Sequence, residues 1–158
     1  MGDIYITKDQ LLKKMKVTEQ SEKKGEDKSP ELTETGNIGN LISTLLHSRN
    51  QAHVFHWQTK SNSSFAEHMA LGGYYDGIVE LMDGLVESYQ GKHDIITGYN
   101  SSKLEDYKGV EQLISYFKSI DSQIEKDRKS VKESYLQNQI DTIQELIYST
   151  LYKLRFLK

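Results

Sequence analysis

The chain has 158 residues, enough for one domain with a real core, and 20 Lys and Arg against 23 Asp and Glu give a formal charge of −3. That balance excludes a global attraction to nucleic acid, and the lack of cysteine excludes disulfides and thiolate metal sites and fits a reducing compartment. The start, Met1-Gly2-Asp3-Ile4-Tyr5-Ile6, has neither a secretion signal nor a myristoylation signal, and no apolar run is long enough to span a bilayer, so a cytoplasmic protein with no membrane partner is expected.

Residues 1–36 read as a flexible charged tail. Lys13 to Glu34 is dense in Lys, Glu, Ser and Thr, holds the only proline (Pro30), and offers too little apolar surface to offset its ordering entropy. A short helix near Gln10 to Met15 is the one element expected there. Residues 37–158 then carry four helical patterns. The first, Asn37 to Thr59, places Ile38, Leu41, Ile42, Leu45, Leu46, Ala52 and Phe55 at three- and four-residue spacing. Ser61-Asn62-Ser63-Ser64 breaks it, and Ser64 with Glu67 forms a Ser-x-x-Glu capping box for the second helix. That helix carries Phe65, Met69, Ile78, Met82, Leu85 and Tyr89 to about Gln90, with Gly91 as its expected stop.

Residues 92 to 108 are polar and irregular, with a helical turn expected near Leu104. The third helix, Val110 to Arg128, shows Leu113, Ile114, Phe117, Ile120 and Ile124. The fourth, from Ser134, shows Leu136, Ile140, Ile143, Ile147, Leu151 and Leu154. Only the polar interruption near Lys129 to Glu133 separates these two. The sum is an all-α four-helix bundle with a long middle connection. Gly72, Gly73, Gly77 and Gly84 interrupt the second helix and imply close approach, inside the bundle or across a subunit interface.

The chemistry concentrates in four residues: His56, followed by Trp57, then His68, Asp83 and Glu87. Imidazole nitrogen with carboxylate oxygen suits a first-row transition metal, iron in particular. Asp83 and Glu87 lie four apart on one helical face. Their apolar neighbours Met82, Leu85 and Val86 suggest partial burial, a cost that a shared cation would relieve. His68 stands roughly 22 Å before Asp83 at about 1.5 Å per residue. One ion cannot touch both within a single chain, so a site built from all four needs a second subunit. Taken singly, each residue has a plainer reading: His56 as a helix-end histidine, the two acids as a solvated face. His47 and His53 read as surface or interface residues, His93 tells nothing, and Tyr74, Tyr75 and Tyr89 read as packing or interface residues.

His56-Trp57, Phe65, His68, Asp83 and Glu87, at intervals of twelve, fifteen and four, resemble the Dps branch of the ferritin-like superfamily. His53, three before His56, fits the same likeness. The wording His56-Trp57-Gln58-Thr59 with Asp83-Gly84-Leu85-Val86-Glu87 is also similar, more loosely, to ferritin-like proteins of large viruses and phages. The motif likeness covers roughly residues 37 to 90; the last two helices agree in length and pattern only.

What the resemblance implies is a two-fold dimer, in a twelve-subunit shell, whose interface pairs His56 and His68 of one subunit with Asp83 and Glu87 of the other. That site would bind Fe(II), oxidise it with peroxide or oxygen and store ferric mineral, in a host cytoplasm or a virion if the chain is virus-encoded. Trp57 would either pack the helix end or intercept one-electron leakage beside the iron. Departures are visible: Gly72 stands where a further acid is usual, with Asp76 one turn on as the nearest substitute, and Ser61 and Ser88 replace a usual Gly and Arg. DNA coating, known in some members, is disfavoured because residues 1–36 hold seven Lys and eight acids, with only a local basic patch at Lys8, Lys13, Lys14 and Lys16. The expectation is a Dps-like ferroxidase and iron-storage protein. Its rivals are a non-enzymatic helical structural or interaction protein and, last, a DNA-compacting protein.

Overall fold

Apolar spacing of three and four does produce four α-helices among the described residues: α1 (Ile38–Gln58), α2 (Phe65–Lys92), α3 (Val110–Asp127) and α4 (Ser134–Phe156). The computed structural model describes residues 37–60 and 65–157, so the tail, its expected Gln10–Met15 helix and Ser64 of the capping box lie outside the described residues. Asn37 starts α1, its side chain accepting the Gly39 N–H at 2.8 Å, as an N-cap should. α2 packs on both α1 and α4, and α3 packs on the same two helices. The interior is the expected one: Leu41, Leu45 and Phe55 of α1 meet Tyr74, Ile78 and Leu85 of α2, Phe117 and Ile124 of α3, and Leu136, Ile140 and Ile147 of α4, all buried. No helix among the described residues is long and apolar enough to cross a membrane.

Three details differ from the sequence expectation. Gly91 does not stop α2, which runs on to Lys92 before the His93 N–H closes on the Tyr89 carbonyl. No helical turn forms at Leu104. Leu46, Phe65 and Met69 are exposed, at 42%, 67% and 56%; the last two lie in the first turns of α2.

The connection from α2 to α3 is an irregular strap held by side chains rather than by periodic bonds. The Asn100 N–H donates to Ser43 Oγ (2.9 Å), Gln51 pairs with both backbone groups of Glu105 (2.7 and 2.8 Å), and the Tyr107 N–H donates to Gln58 Oε1 (2.7 Å). Residues rising from 100 to 107 thus meet α1 residues rising from 43 to 58. The strap runs the length of α1, and α3 begins at the α1 C-terminal end, antiparallel to it. Near its start the Thr97 carbonyl would lie 2.9 Å from any Cβ at Gly39, so only glycine admits the strap there.

The α3–α4 turn falls where the polar interruption placed it, as one 3₁₀ turn (Arg128–Ser130) followed by buried Val131. Arg128 fixes it: Nε donates to Gln137 Oε1 and Nη2 to Asp141 Oδ1, both at 2.7 Å, and Nη1 reaches Gln144 and Glu125. With its side chain only 20% exposed, these charge-assisted bonds outweigh an ordinary surface pair. Arg128→Ala should lower stability by about 2 kcal/mol, read as a lower urea midpoint with an unchanged slope; an unaltered midpoint would show that the turn holds without it.

Candidate metal centre at the α1–α2 hairpin

His56, in the last turn of α1, and His68, in the first turn of α2, come together across the break between the helices. Their rings stack with centroids 3.6 Å apart and planes 24° from parallel. The bracing is reciprocal. His56 Nδ1 lies 2.9 Å from the His68 carbonyl, and His68 Nδ1 lies 3.2 Å from the His56 carbonyl. A carbonyl oxygen can only accept, so both Nδ1 atoms must carry the proton and donate. Thr59 supports the second bond: its hydroxyl donates to the His56 carbonyl (2.9 Å) and lies 3.3 Å from His68 Nδ1. The consequence is electronic as well as geometric. With Nδ1 protonated and tied to backbone, each neutral ring keeps its lone pair on Nε2, the atom that a metal would take.

A second group of aromatic rings, which the sequence reading passed over, adjoins the pair. The His53 ring lies between Trp57 and Tyr75, 4.1 Å from each, and Tyr75 meets His56 edge-on at 5.2 Å. Arg49 reaches over the Tyr75 ring, 6.0 Å from its centroid. Loss of hydration holds the His53 imidazole below its ordinary range, with Arg49 and then His56 acting in the same direction and Asp76 opposing them. The signal for this cluster was in the spacing: His53 precedes His56 by one helical turn, and Tyr75 follows His68 by two. Trp57 is 67% exposed, so it packs no core; its partner is the His53 ring. His47, read as a surface or interface residue, is half-buried, with its ring nitrogens 3.1 Å from the Tyr116 hydroxyl and 3.3 Å from the Lys103 carbonyl. Tyr74 is a packing residue, as expected, and fully buried.

Asp83 and Glu87 lie further along the same unbroken α2 and are exposed, while Met82 and Leu85 turn inward. The partial burial expected from their neighbours is therefore absent within one chain; those neighbours are simply on the other side of the helix. Among the described residues, no group of three or more His, Asp or Glu could hold a metal within one chain. The structure thus joins the two histidines to each other and keeps the two acids apart from them, as the helical distance requires.

The glycines of α2 divide by position. A Cβ at Gly77 would touch Leu146 of α4 at 3.4 Å, which is close packing inside the bundle. One at Gly72 would stand 3.5 Å from His56 Cε1, and one at Gly84, beside Asp83, would meet nothing. Gly72 therefore faces the histidine pair yet brings it no carboxylate. Asp76, the nearest substitute, lies close enough to His53 to oppose the lowering of its imidazole.

Two further elements reach the hairpin from the strap. Tyr107 donates its phenol O–H to Glu67 Oε2 at 2.5 Å; burial, then that bond and the carboxylate charge, push the phenol up to about 12, so it remains a donor. Gln58 Nε2 donates to Asp106 Oδ1 at 2.9 Å.

Against known proteins, the model of a family of unknown function, DUF5856, matches residues 56–154, a span that includes all four candidate residues. A DNA protection during starvation protein of Helicobacter pylori (strain J99) is 26% identical over 121 residues, covering 62% of this chain and 82% of that protein, a distant homology. No solved structure matches the chain.

Proposed function

The chain belongs to the family of unknown function DUF5856, and from that membership, its distant Dps homology and the hairpin geometry we propose that it binds and oxidises Fe(II) at a site shared by two copies. His56 and His68 of one copy would supply Nε2 donors, and Asp83 and Glu87 of its two-fold mate the oxygens. The observation that carries this reading is the reciprocal Nδ1-to-carbonyl bracing of the two rings, which leaves both in the tautomer that offers Nε2 to a metal. The exposed acid pair on the same helix is its complement: two carboxylates left open within one chain, at a distance that only a neighbour can close.

Iron is the substrate here. The imidazoles tolerate Fe(II) and the carboxylates favour Fe(III), so binding by the mixed set promotes loss of one electron from each ion. Two such electrons and two protons reduce one peroxide to two waters, and the ferric product is what a shell of copies would store. The chain would act in a cytoplasm, or in a virion if virus-encoded.

Anaerobic Fe(II) titration followed by peroxide should give saturable uptake and fast oxidation, and sizing in the same buffer should give an assembly near twelve copies. A dimer that takes up no iron would instead support the second reading, a bundle that serves as a structural or interaction protein without oxidation, which Gly72 beside His56 favours. The relative's name refers to DNA, but seven Lys against eight acids in residues 1–36 gives no excess of cations for phosphate, and DNA binding is not part of this proposal.

A further inference from the structure

Tyr107 stands where the strap meets the hairpin, and it holds both helices at once. Its backbone N–H donates to Gln58 Oε1 at 2.7 Å, and its phenol donates to Glu67 Oε2 at 2.5 Å. Gln58 is two residues after His56, and Glu67 is one residue before His68. Gln58 is further tied to the strap through Asp106 Oδ1, and the Phe55 ring lies edge-on to the Tyr107 ring at 6.5 Å. One residue, about fifty positions from His56, therefore links the end of α1 to the start of α2 where the two imidazoles stack.

That link matters because each ring is tied to the other helix. His56 Nδ1 bonds the backbone of residue 68, and His68 Nδ1 that of residue 56. A relative slip of about 1 Å between the helix ends would stretch both contacts past hydrogen-bonding distance. Each ring would then be free to exchange tautomers and to turn its Nε2 away.

We propose that Tyr107 is a positioning residue: through Gln58 and Glu67 it holds the α1 and α2 ends in the register that keeps His56 and His68 reciprocally bonded. Its consequence for metal binding rests on the proposed function; its consequence for the rings does not.

The test uses the full chain with ¹⁵N-labelled histidine, and Co(II) as a spectroscopic stand-in for Fe(II). The parent should show Nδ1-protonated signals for His56 and His68. Tyr107→Phe and Glu67→Met should each move those signals to tautomer averages and weaken Co(II) binding about tenfold, the lower end for an outer-shell partner, with the melting temperature shifted by a few degrees at most. The double variant should be no worse than either single one. Glu67→Gln keeps an accepting Oε1 and should keep the parental signals. Parental ring signals in Tyr107→Phe overturn the proposal, as do single losses that simply add. Should Tyr107→Phe fail to fold, the ring signals of Glu67→Met decide in the same way. A parent that binds no Co(II) counts against the proposed function alone, and the ring signals still decide the role of Tyr107.

Discussion

Co-expressing a His56→Ala, His68→Ala chain with an Asp83→Ala, Glu87→Ala chain should restore about a quarter of parental peroxide-dependent Fe(II) oxidation, although each variant alone is inactive. Each isolated variant loses two of four ligands at every site, and since loss of an outer-shell partner alone costs about 10–100-fold, two lost ligands should exceed that. In a two-fold dimer with shared sites, a mixed pair has one site with both donor sets intact and one with neither. Random pairing makes about half of the dimers mixed, so roughly a quarter of all sites return. A site contained in one chain predicts no recovery at all. The acid pair is exposed, so its removal should leave the fold intact. The histidine pair is braced, so its variant needs a melting curve beside the rate. Mixed dimers seen by mass spectrometry with no recovered activity would rule out the shared site, and parental rates in the acid variant alone would rule out a role for those carboxylates.

Phe117→Ala should cost about 3–5 kcal/mol, the largest stability effect expected of any single change in the bundle. The ring is fully buried and meets Tyr74 edge-on at 4.7 Å and Tyr116 at 5.7 Å. The melting temperature should fall on the order of 10–20 °C for a domain of this size, at a fixed protein concentration because assembly also shifts it. Tyr74→Phe is the useful contrast. Burial pushes the Tyr74 phenol up, so it donates to Ser48 Oγ at 2.7 Å while Ser48 donates to the Leu45 carbonyl at 2.8 Å. Removing that hydroxyl leaves Ser48 its own partner and should cost only about 1 kcal/mol. A fall of merely a few degrees in Phe117→Ala would mean that contacts between copies, not this core, carry the stability.

The candidate site was legible in part. The four residues and their intervals stand in the sequence, and a rise per residue suffices to show that the acids cannot reach the histidines along one helix. The stacking of His56 on His68, the lone pairs left on Nε2 and the His53 sandwich were not legible. They depend on how the end of α1 meets the start of α2, and ring orientation follows from that meeting rather than from spacing. The exposure of Asp83 and Glu87 was misread for a related reason: apolar neighbours at one and two residues' distance point to other sides of a helix, so they say little about burial.

By itself the sequence determined the four helices, most of their inward residues (Leu46, Phe65 and Met69 excepted) and the break between α3 and α4, because side-chain periodicity and interruption are local properties that a bundle satisfies almost unchanged. Tertiary structure alone decided the course of the strap, which has no periodicity and is held by Ser43, Gln51 and Gln58, residues about fifty positions away that read as ordinary polar positions of α1. It also decided which glycines are packed and which face open space, since Gly77 and Gly84 are indistinguishable until Leu146 is seen to lie against only one of them. Contacts between distant segments set these features, and no local pattern encodes which distant segment will arrive.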